Sequence, residues 1–288
     1  EAASQLAAVQ GDWAKALEHL QDLLPRSPLS MSLRERIAEL LIEVEGEEAA
    51  LEFWRSAAAQ FPHYHPLIER YAISLRSRPL KEIEPVLNRI LELNPENAWA
   101  IRERSQHLLS AGKLAQAETM IARCVELDAE NSATKFLQAS LESRRGDNAS
   151  ARVRLREMLA SDISDEYAVS QLVSYCETLG QRTETLEWIL SELQRQPVSG
   201  NVLMVYRDYA EAVVPEDKIL EAMLQAVEQR GELWPAHQAL IRQLTHMQQL
   251  DEARRAAENA VRLFPLEPDT WYELYQVATA MGDATLQR

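Results

Sequence analysis

Glycine recurs between the apolar stretches of this chain at multiples of 34 residues, at Gly112, Gly146, Gly180 and Gly282. Val214 and Gln248 occupy the two intervening slots that hold no glycine. Upstream, the same interval leads from Gly11 to Glu45 and then to Pro79, after which one residue is missing. A fixed period of this length indicates repeated supersecondary units that bury their apolar faces against one another.

Proline follows the same interval about half a period later, at Pro28, Pro62, Pro95, Pro197 and Pro265, with Ala129, Ile163 and Gly231 in the slots between. Proline has no backbone N–H, and its ring forces the preceding residue out of the helical conformation. Each unit is therefore predicted to end at this slot. Because two unrelated residue types keep one register, we interpret residues 1–288 as a single repeat array of about nine units, the first and last incomplete.

Two apolar stripes at helical spacing lie within each unit. A small residue stands five positions after the glycine slot, at Ala16, Ala50, Ala117, Ala151 and Ala253, and a larger one follows four positions later, at Leu20, Trp54, Ile121 and Leu155. The small residue lets two helix backbones approach, and the large one fills the space beside it. The third unit departs from the pattern, with Ile83 in the alanine slot and Pro85 in the first turn of its second helix. We therefore predict antiparallel helix pairs without strands, joined by turns near Gly11, Gly112, Gly146, Gly180 and Gly282.

This pattern resembles the tetratricopeptide repeat, a helical hairpin of 34 residues. The best first helix is Trp271-x2-Leu274-Tyr275-x2-Ala278, and the best second helix is Ala50-x3-Trp54, which ends at Pro62. The resemblance implies an all-α fold, a right-handed superhelical solenoid of antiparallel helix pairs. It also implies that Trp13, Trp54 and Trp271 occupy packing slots.

In tetratricopeptide-repeat proteins the first helices of the pairs line a concave groove. Carried over to this chain, the resemblance implies that the groove residues include Arg70, Trp99, Arg102, Phe136, Arg144 and Tyr167, together with Glu35, Glu39, Ile73, Arg76, Glu103, Gln106, Gln238 and Arg242. Arginine beside aromatic rings is the composition of protein-binding hot spots, and it suits an acidic or carboxylate-bearing ligand. The alternative is that these arginines are solvated and neutralise neighbouring glutamates.

Sequence motifs for catalysis or phosphate binding are absent from the chain. His63 and His65 stand close together, but in a predicted loop with no third ligand nearby, so a solvated pair is favoured over a metal site. Cys124 falls on a core slot of a second helix and Cys176 on a core slot of a first helix, and both are interpreted as inert packing residues. We therefore expect no catalytic residue, no cofactor and no metal ion in this segment.

The composition limits the kinds of partner. The formal net charge is −15, whereas a nucleic-acid groove needs a basic face, so nucleic acid is not an expected partner. No stretch approaches the roughly 18–20 apolar residues of a membrane span, so membrane insertion is not expected. Residues 65–145 carry 12 basic and 11 acidic residues between two acidic flanks. Arginine outnumbers lysine by 25 to 5, which is typical of a GC-rich bacterial genome.

Two classes of function remain open. The first is a protein–protein interaction scaffold or adaptor that binds a partner peptide or protein in the concave groove. The second is a substrate-recruiting region of a larger bacterial enzyme or export-machinery protein whose catalytic part lies outside this segment. The identity of the partner does not follow from the sequence in either case.

The two ends of the chain are incomplete in the repeat register. The first unit lacks roughly four residues of its first helix, and only six residues follow Gly282, where a second helix needs about 15. We therefore expect an internal segment of a longer chain. Because Trp271, Leu274 and Tyr275 have no partner helix in this register, we also expect self-association through the C-terminal end.

Overall fold

The computed structural model describes residues 4, 7, 9–196 and 201–282. These residues form helices and connections without any strand, which confirms the predicted all-α fold. The chain divides into two compact units, Glu1–Ala129 (unit 1) and Glu130–Arg288 (unit 2). The described part of unit 1 contains two clusters of buried apolar side chains, and that of unit 2 contains one larger cluster.

Antiparallel helix pairs follow one another within each unit. Unit 1 contains α1 (Trp13–Gln21), a short 3-10 turn (Leu24–Arg26), α2 (Met31–Glu45), α3 (Glu47–Gln60), α4 (His65–Ser74), α5 (Leu80–Leu93), α6 (Ala98–Ser110) and α7 (Leu114–Asp128). Unit 2 contains α8 (Ser132–Arg144), α9 (Asn148–Ser161), α10 (Glu166–Ser174), α11 (Leu179–Arg195), α12 (Val202–Ala210), α13 (Glu216–Gln229), α14 (Trp234–His246), α15 (Leu250–Leu263) and α16 (Pro268–Met281). The even-numbered helices are the first helices of the predicted pairs, and the odd-numbered helices are the second.

In most of the 34-residue repeats, the turn that follows the first helix has a left-handed backbone. Among the described residues, positive φ angles occur at Gly11, Gly46, Gly112, Gly146, Gln248 and Gly282. All six lie at one of the glycine positions that recur every 34 residues, or one residue after such a position. Gln248 has φ 58°, so its slot keeps the left-handed conformation although the sequence supplies no glycine there. This conformation costs a residue that has a Cβ atom roughly 1–2 kcal/mol in free energy.

The remaining slots make the turn in other ways. Pro79 and Pro215 leave the helical conformation, with ψ 149° and 135°, and serve as N-caps of α5 and α13. The predicted turn at Gly180 is displaced, because Gly180 is the second residue of α11. The Thr178 hydroxyl accepts a hydrogen bond of 3.2 Å from the backbone N–H of Gln181. This cap starts α11 ahead of the glycine, so the connection lies earlier in the chain than the repeat register indicates.

Second helices end ahead of the proline slot, as predicted. Helices α3, α5 and α15 stop two residues before Pro62, Pro95 and Pro265, respectively. The intervening residue, Phe61, Asn94 or Phe264, has ψ between 59° and 94°, outside the α-helical region. Contact with the following proline ring favours this extended geometry. Pro197, which holds another of these slots, lies outside the described residues.

The small and large slots pack as predicted. The buried small residues are Ala16, Ala50, Ala117, Ala151 and Ala253, and the buried large ones are Leu20, Trp54, Ile121 and Leu155. In the third 34-residue repeat, Ile83 occupies the position that is alanine in most repeats, and it is fully buried. Pro85 is the sixth residue of α5 and therefore lies in its second turn, not its first as predicted, because α5 begins directly after Pro79.

Three expectations about packing side chains are wrong. Trp13 is 46% exposed and Trp271 is 53% exposed, so only Trp54 of the three tryptophans fills a packing slot. Trp13 is exposed because it is the first residue of α1, where the buried face of that helix ends. Trp271 is held at the surface by a hydrogen bond of 3.1 Å from its indole N–H to the Pro265 carbonyl. Cys176 is half-buried in the connection after α10, since that helix ends at Ser174.

The phenol of Tyr206, on α12, is fully buried, and its hydroxyl has no hydrogen-bond partner within the described residues. Burial, with a smaller contribution from the charge of Glu187, raises the pKa of Tyr206 from its ordinary value of 10 to about 12. An unpaired buried hydroxyl opposes folding, because it exchanges a hydrogen bond to water for none.

Replacement Tyr206→Phe should therefore leave the free energy of unfolding at pH 7 unchanged or raise it by about 1 kcal/mol. Between pH 10 and 12 the tyrosine ionises in the unfolded chain but stays protonated in the folded one. The wild-type protein should then lose up to about 1.4 kcal/mol per pH unit more than the variant. Urea unfolding at pH 7 and pH 11 measures both effects. Marked destabilisation of the variant at pH 7, or the same pH dependence for both proteins, would contradict this account.

Candidate functional site

An open cavity of ≈ 280 Å³ lies in unit 1 where α2, α3 and α4 meet. Four of the side chains that the tetratricopeptide resemblance assigns to the groove line it, namely Glu35, Glu39, Arg70 and Ile73. Successive first helices supply these residues one repeat apart, so the period of the sequence is what brings them to the same cavity.

The floor of this cavity is apolar. Trp54, Leu51 and Ala50 of α3 are buried beneath it. Ile42 of α2 also lines the cavity and is 46% exposed. The cavity therefore offers apolar surface that a ligand can remove from water.

The rim of the cavity carries ion pairs between repeats. Nε of Arg70 lies 3.4 Å from a carboxylate oxygen of Glu35, and the guanidinium carbon lies 5.8 Å from the ring centre of Trp54. Arg78 pairs with Glu48, and the hydrogen bond to that carboxylate, together with its charge, raises the pKa of the guanidinium. Both arginines are about one-third exposed. Glutamates of one repeat thus hold the arginines of the next.

A second cavity of ≈ 520 Å³ continues the first and shares Ser77 and Arg78 with it. Arg76 and His107 line it from two sides, and Arg76 pairs with Glu103 of α6. Burial lowers the pKa of the His107 imidazole, with the Glu103 carboxylate acting in the opposite direction. We call the two cavities together the unit-1 groove.

Trp99 and Arg102 lie on α6, which supplies Glu103 to this groove, and neither is among the residues that line its two cavities. The guanidinium carbon of Arg76 lies 5.9 Å from the ring centre of Trp99. Arg102 is half-buried and forms no hydrogen bond or ion pair with the described residues of unit 1. Burial raises the pKa of the Cys124 thiol, and the charge of Arg102 is one of the smaller influences that oppose this rise.

Unit 2 brings two of the remaining site candidates together. The rings of Phe136 and Tyr167 lie 5.4 Å apart between centres, at an angle of 43°. Phe136 packs on the core of the unit, whereas Tyr167 is 59% exposed. Arg144 is exposed at the last residue of α8, and eight helical residues, or about 12 Å along the axis, separate it from Phe136.

Glu273 is a residue whose role the sequence did not reveal. Its carboxylate is buried and accepts hydrogen bonds from Gln238 (2.9 Å) and from Nε of Arg242 (2.7 Å). Glu273 follows Arg242 by about one repeat, as Arg70 follows Glu35. Opposite charges one repeat apart are therefore the sequence signal that predicts such pairs.

Within the part of the chain that the structure describes, no group of three or more His, Cys, Asp or Glu side chains is placed to hold a metal ion. His63 lies beside Arg89 (3.3 Å), whereas His65 is the first residue of α4 and lies beside Glu69 (3.3 Å). The two imidazoles thus have separate partners. Among these residues, no helix combines the length and the apolar character of a membrane span.

Trp271, Tyr272 and Tyr275 form an exposed aromatic row on α16. Self-association was expected from Trp271, Tyr275 and Leu274, but Leu274 is half-buried and packs on the core of unit 2. The expected self-association stays a prediction. The tail from Ala284 to Arg288, which belongs to the same argument, lies outside the described residues.

Comparisons with known proteins bear on the fold. No protein-family model matches the chain, and no curated protein matches it. The crystal structure of yeast Tom70 is similar, with a TM-score of 0.58 at 15% identity, over 96% of this chain and 60% of that chain. A tetratricopeptide repeat protein from Parabacteroides merdae is similar with a TM-score of 0.53 at 18% identity, over 78% of this chain and 90% of that one. At these identities the likeness is one of fold, and this chain therefore has the helical-repeat fold of the tetratricopeptide-repeat proteins.

Proposed function

We propose that this chain is a protein-interaction scaffold whose unit-1 groove binds a segment of a partner protein. The observation that carries the proposal is the open cavity of ≈ 280 Å³ with an apolar floor and an ionised rim. Exposed Ile42 next to buried Trp54 provides the apolar area whose burial drives association, and the rim provides specificity. A scaffold needs no catalytic group.

An acidic or carboxylate-bearing segment is the ligand class that we propose. Arg70 and Arg76 lie beside the rings of Trp54 and Trp99, which restricts their orientation before a ligand arrives. Glu35, the partner of Arg70, is 42% exposed, and an exposed ion pair contributes only about 0–1 kcal/mol. A ligand carboxylate can take the place of such a glutamate, and Arg102 offers a further cation.

In unit 2 we propose Phe136, Tyr167 and Arg144 as the corresponding binding residues. The exposed ring of Tyr167 rests against Phe136, so it is held in place without being buried. A large ring that is fixed and exposed loses little conformational entropy on binding, which is typical of interface anchors.

Negative charge inserted into the apolar lining should weaken partner binding at the unit-1 groove. Ile42→Glu places an anion on the cavity lining, whereas Val44→Glu alters a similarly exposed residue of the same helix that does not line it. Affinity capture from an extract of the source organism, quantified by mass spectrometry, should show proteins retained by the wild type and by Val44→Glu. Ile42→Glu should retain them about tenfold less. Equal retention by all three proteins, with circular dichroism confirming that each is folded, would exclude the groove as the binding site.

Charge reversal at Arg102 should weaken binding of the captured partner by about tenfold, because a cation that attracts the ligand becomes an anion that repels it. Arg255→Glu reverses the charge of an exposed arginine on α15 and should leave the affinity unchanged. Isothermal titration at low and high salt measures both variants. An unchanged affinity for Arg102→Glu, or a wild-type affinity that does not fall with salt, would show that the ligand is not recognised through its carboxylates.

A further inference from the structure

An apolar cleft of ≈ 270 Å³ lies on unit 1 between the second helices α3 and α5. Its apolar lining includes Ala58, Pro62, Ile68, Tyr71, Pro85 and Val86. Arg55 of α3 and Arg89 of α5 line it as well. We call this site the α3–α5 cleft.

The α3–α5 cleft is separate from the unit-1 groove. Helix α4 contributes to both sites, with Arg70 and Ile73 lining the groove and Ile68 and Tyr71 lining the cleft. Each residue of an α-helix is turned by about 100° from the one before it, so these two sets lie on different faces of α4. A ligand in the cleft therefore does not compete for the side chains that line the groove.

The lining of the cleft contains two arginines and no carboxylate, although the protein as a whole carries a net charge of −15. Arg55 donates a hydrogen bond of 3.1 Å to the hydroxyl of Tyr71, and Arg89 donates one of 3.1 Å to the carbonyl of Pro62. These bonds hold each guanidinium at the edge of the cleft. The cleft thus has an apolar interior and cationic edges.

The carboxylates that neutralise these arginines lie outside the cleft lining. Arg55 pairs with Glu52 and Arg89 pairs with Glu92, each three residues away on its own helix, and the two glutamates are 60% and 65% exposed. Exposed pairs of this kind contribute little stability. Carboxylates of a ligand therefore replace them at small cost.

Part of the cleft lies in the third repeat, which departs from the repeat pattern. Ile83 of this repeat stands where five other repeats have alanine, and Pro85 forms part of the cleft wall. A proline ring on a helix surface has no side-chain rotamers to lose, so this wall is rigid before a ligand binds. A rigid apolar wall with fixed cations beside it is a preformed binding surface.

We propose that the α3–α5 cleft is a second protein-docking site, one that takes an acidic, apolar segment of a partner. An aliphatic or aromatic side chain of that segment enters between Ile68, Tyr71 and Val86. Aspartate or glutamate residues on either side of it bind Arg55 and Arg89. The proposal is independent of what the unit-1 groove binds.

Methyl NMR of the full chain tests the proposal directly, because Ile68 and Ile73 report the two faces of α4 in one sample. The probe is an acetylated peptide of sequence Asp-Glu-Asp-Leu-Phe-Glu-Asp-Glu. We expect it to shift the methyl signals of Ile68 and Val86. A shift of Ile73 in addition reports binding of the same acidic peptide at the unit-1 groove and does not bear on the cleft. Two further peptides serve as controls, one with lysine for every acidic residue and one with serine for Leu and Phe, and neither should produce these shifts.

Matched variants test the role of the arginines. The double replacement Arg55→Glu, Arg89→Glu should weaken peptide binding by at least roughly tenfold. The double replacement Arg36→Glu, Arg255→Glu changes two arginines that also pair with a glutamate three residues away, and should not weaken it. The proposal is overturned if the acidic peptide shifts neither methyl at millimolar concentration, if the lysine peptide shifts them equally, or if Ile73 shifts instead. Shifts of Ile68 that grow with protein concentration alone would assign the cleft to a second copy of the chain and would also overturn it.

Discussion

The structure depends on a turn that reverses the chain direction at the same position of each 34-residue repeat. Most of these reversals use a residue with positive φ, and Pro79 and Pro215 make the reversal at two other slots. Because the turn fixes where the second helix begins, it also fixes which of its residues faces the preceding helix. If the second helix began one residue later, its side chains would be rotated by about 100° about the helix axis. A more polar neighbour would then occupy the buried position of an alanine such as Ala151.

The same register distributes charge over the surface. Glutamates and arginines meet from neighbouring repeats, as Glu35 does with Arg70 and Glu273 with Arg242. The cations that line the unit-1 groove are thus paired with glutamates of a neighbouring repeat. At the α3–α5 cleft, Arg55 and Arg89 instead form ion pairs with glutamates of their own helices. Two faces of one helix, α4, therefore line two separate surfaces that combine apolar residues with arginines.

Much of the fold could be predicted from the sequence, because the slots for glycine, alanine and proline each act through local backbone physics or close packing. The displaced turn at Gly180 could not, since a better cap at Thr178 competes with the glycine. The exposure of Trp271 did not follow from the repeat pattern, because it depends on a hydrogen bond from the indole N–H to the carbonyl of Pro265 in the preceding loop. Within the candidate site, residue positions followed from the repeat, but the pairing of each arginine depends on which side chain the next repeat places opposite it.

The central claim is that the repeat register can hold a left-handed turn even where the residue present is not glycine. Gln248 tests it most directly, because it has φ 58° at a slot where other units carry glycine. Gln248→Gly should raise the free energy of unfolding, measured by urea denaturation, by about 1 kcal/mol, since glycine adopts this conformation without strain. Gln249→Gly, one residue on and at φ −83°, should give no such gain. A Gln248→Gly variant that is no more stable than the wild type would contradict the account.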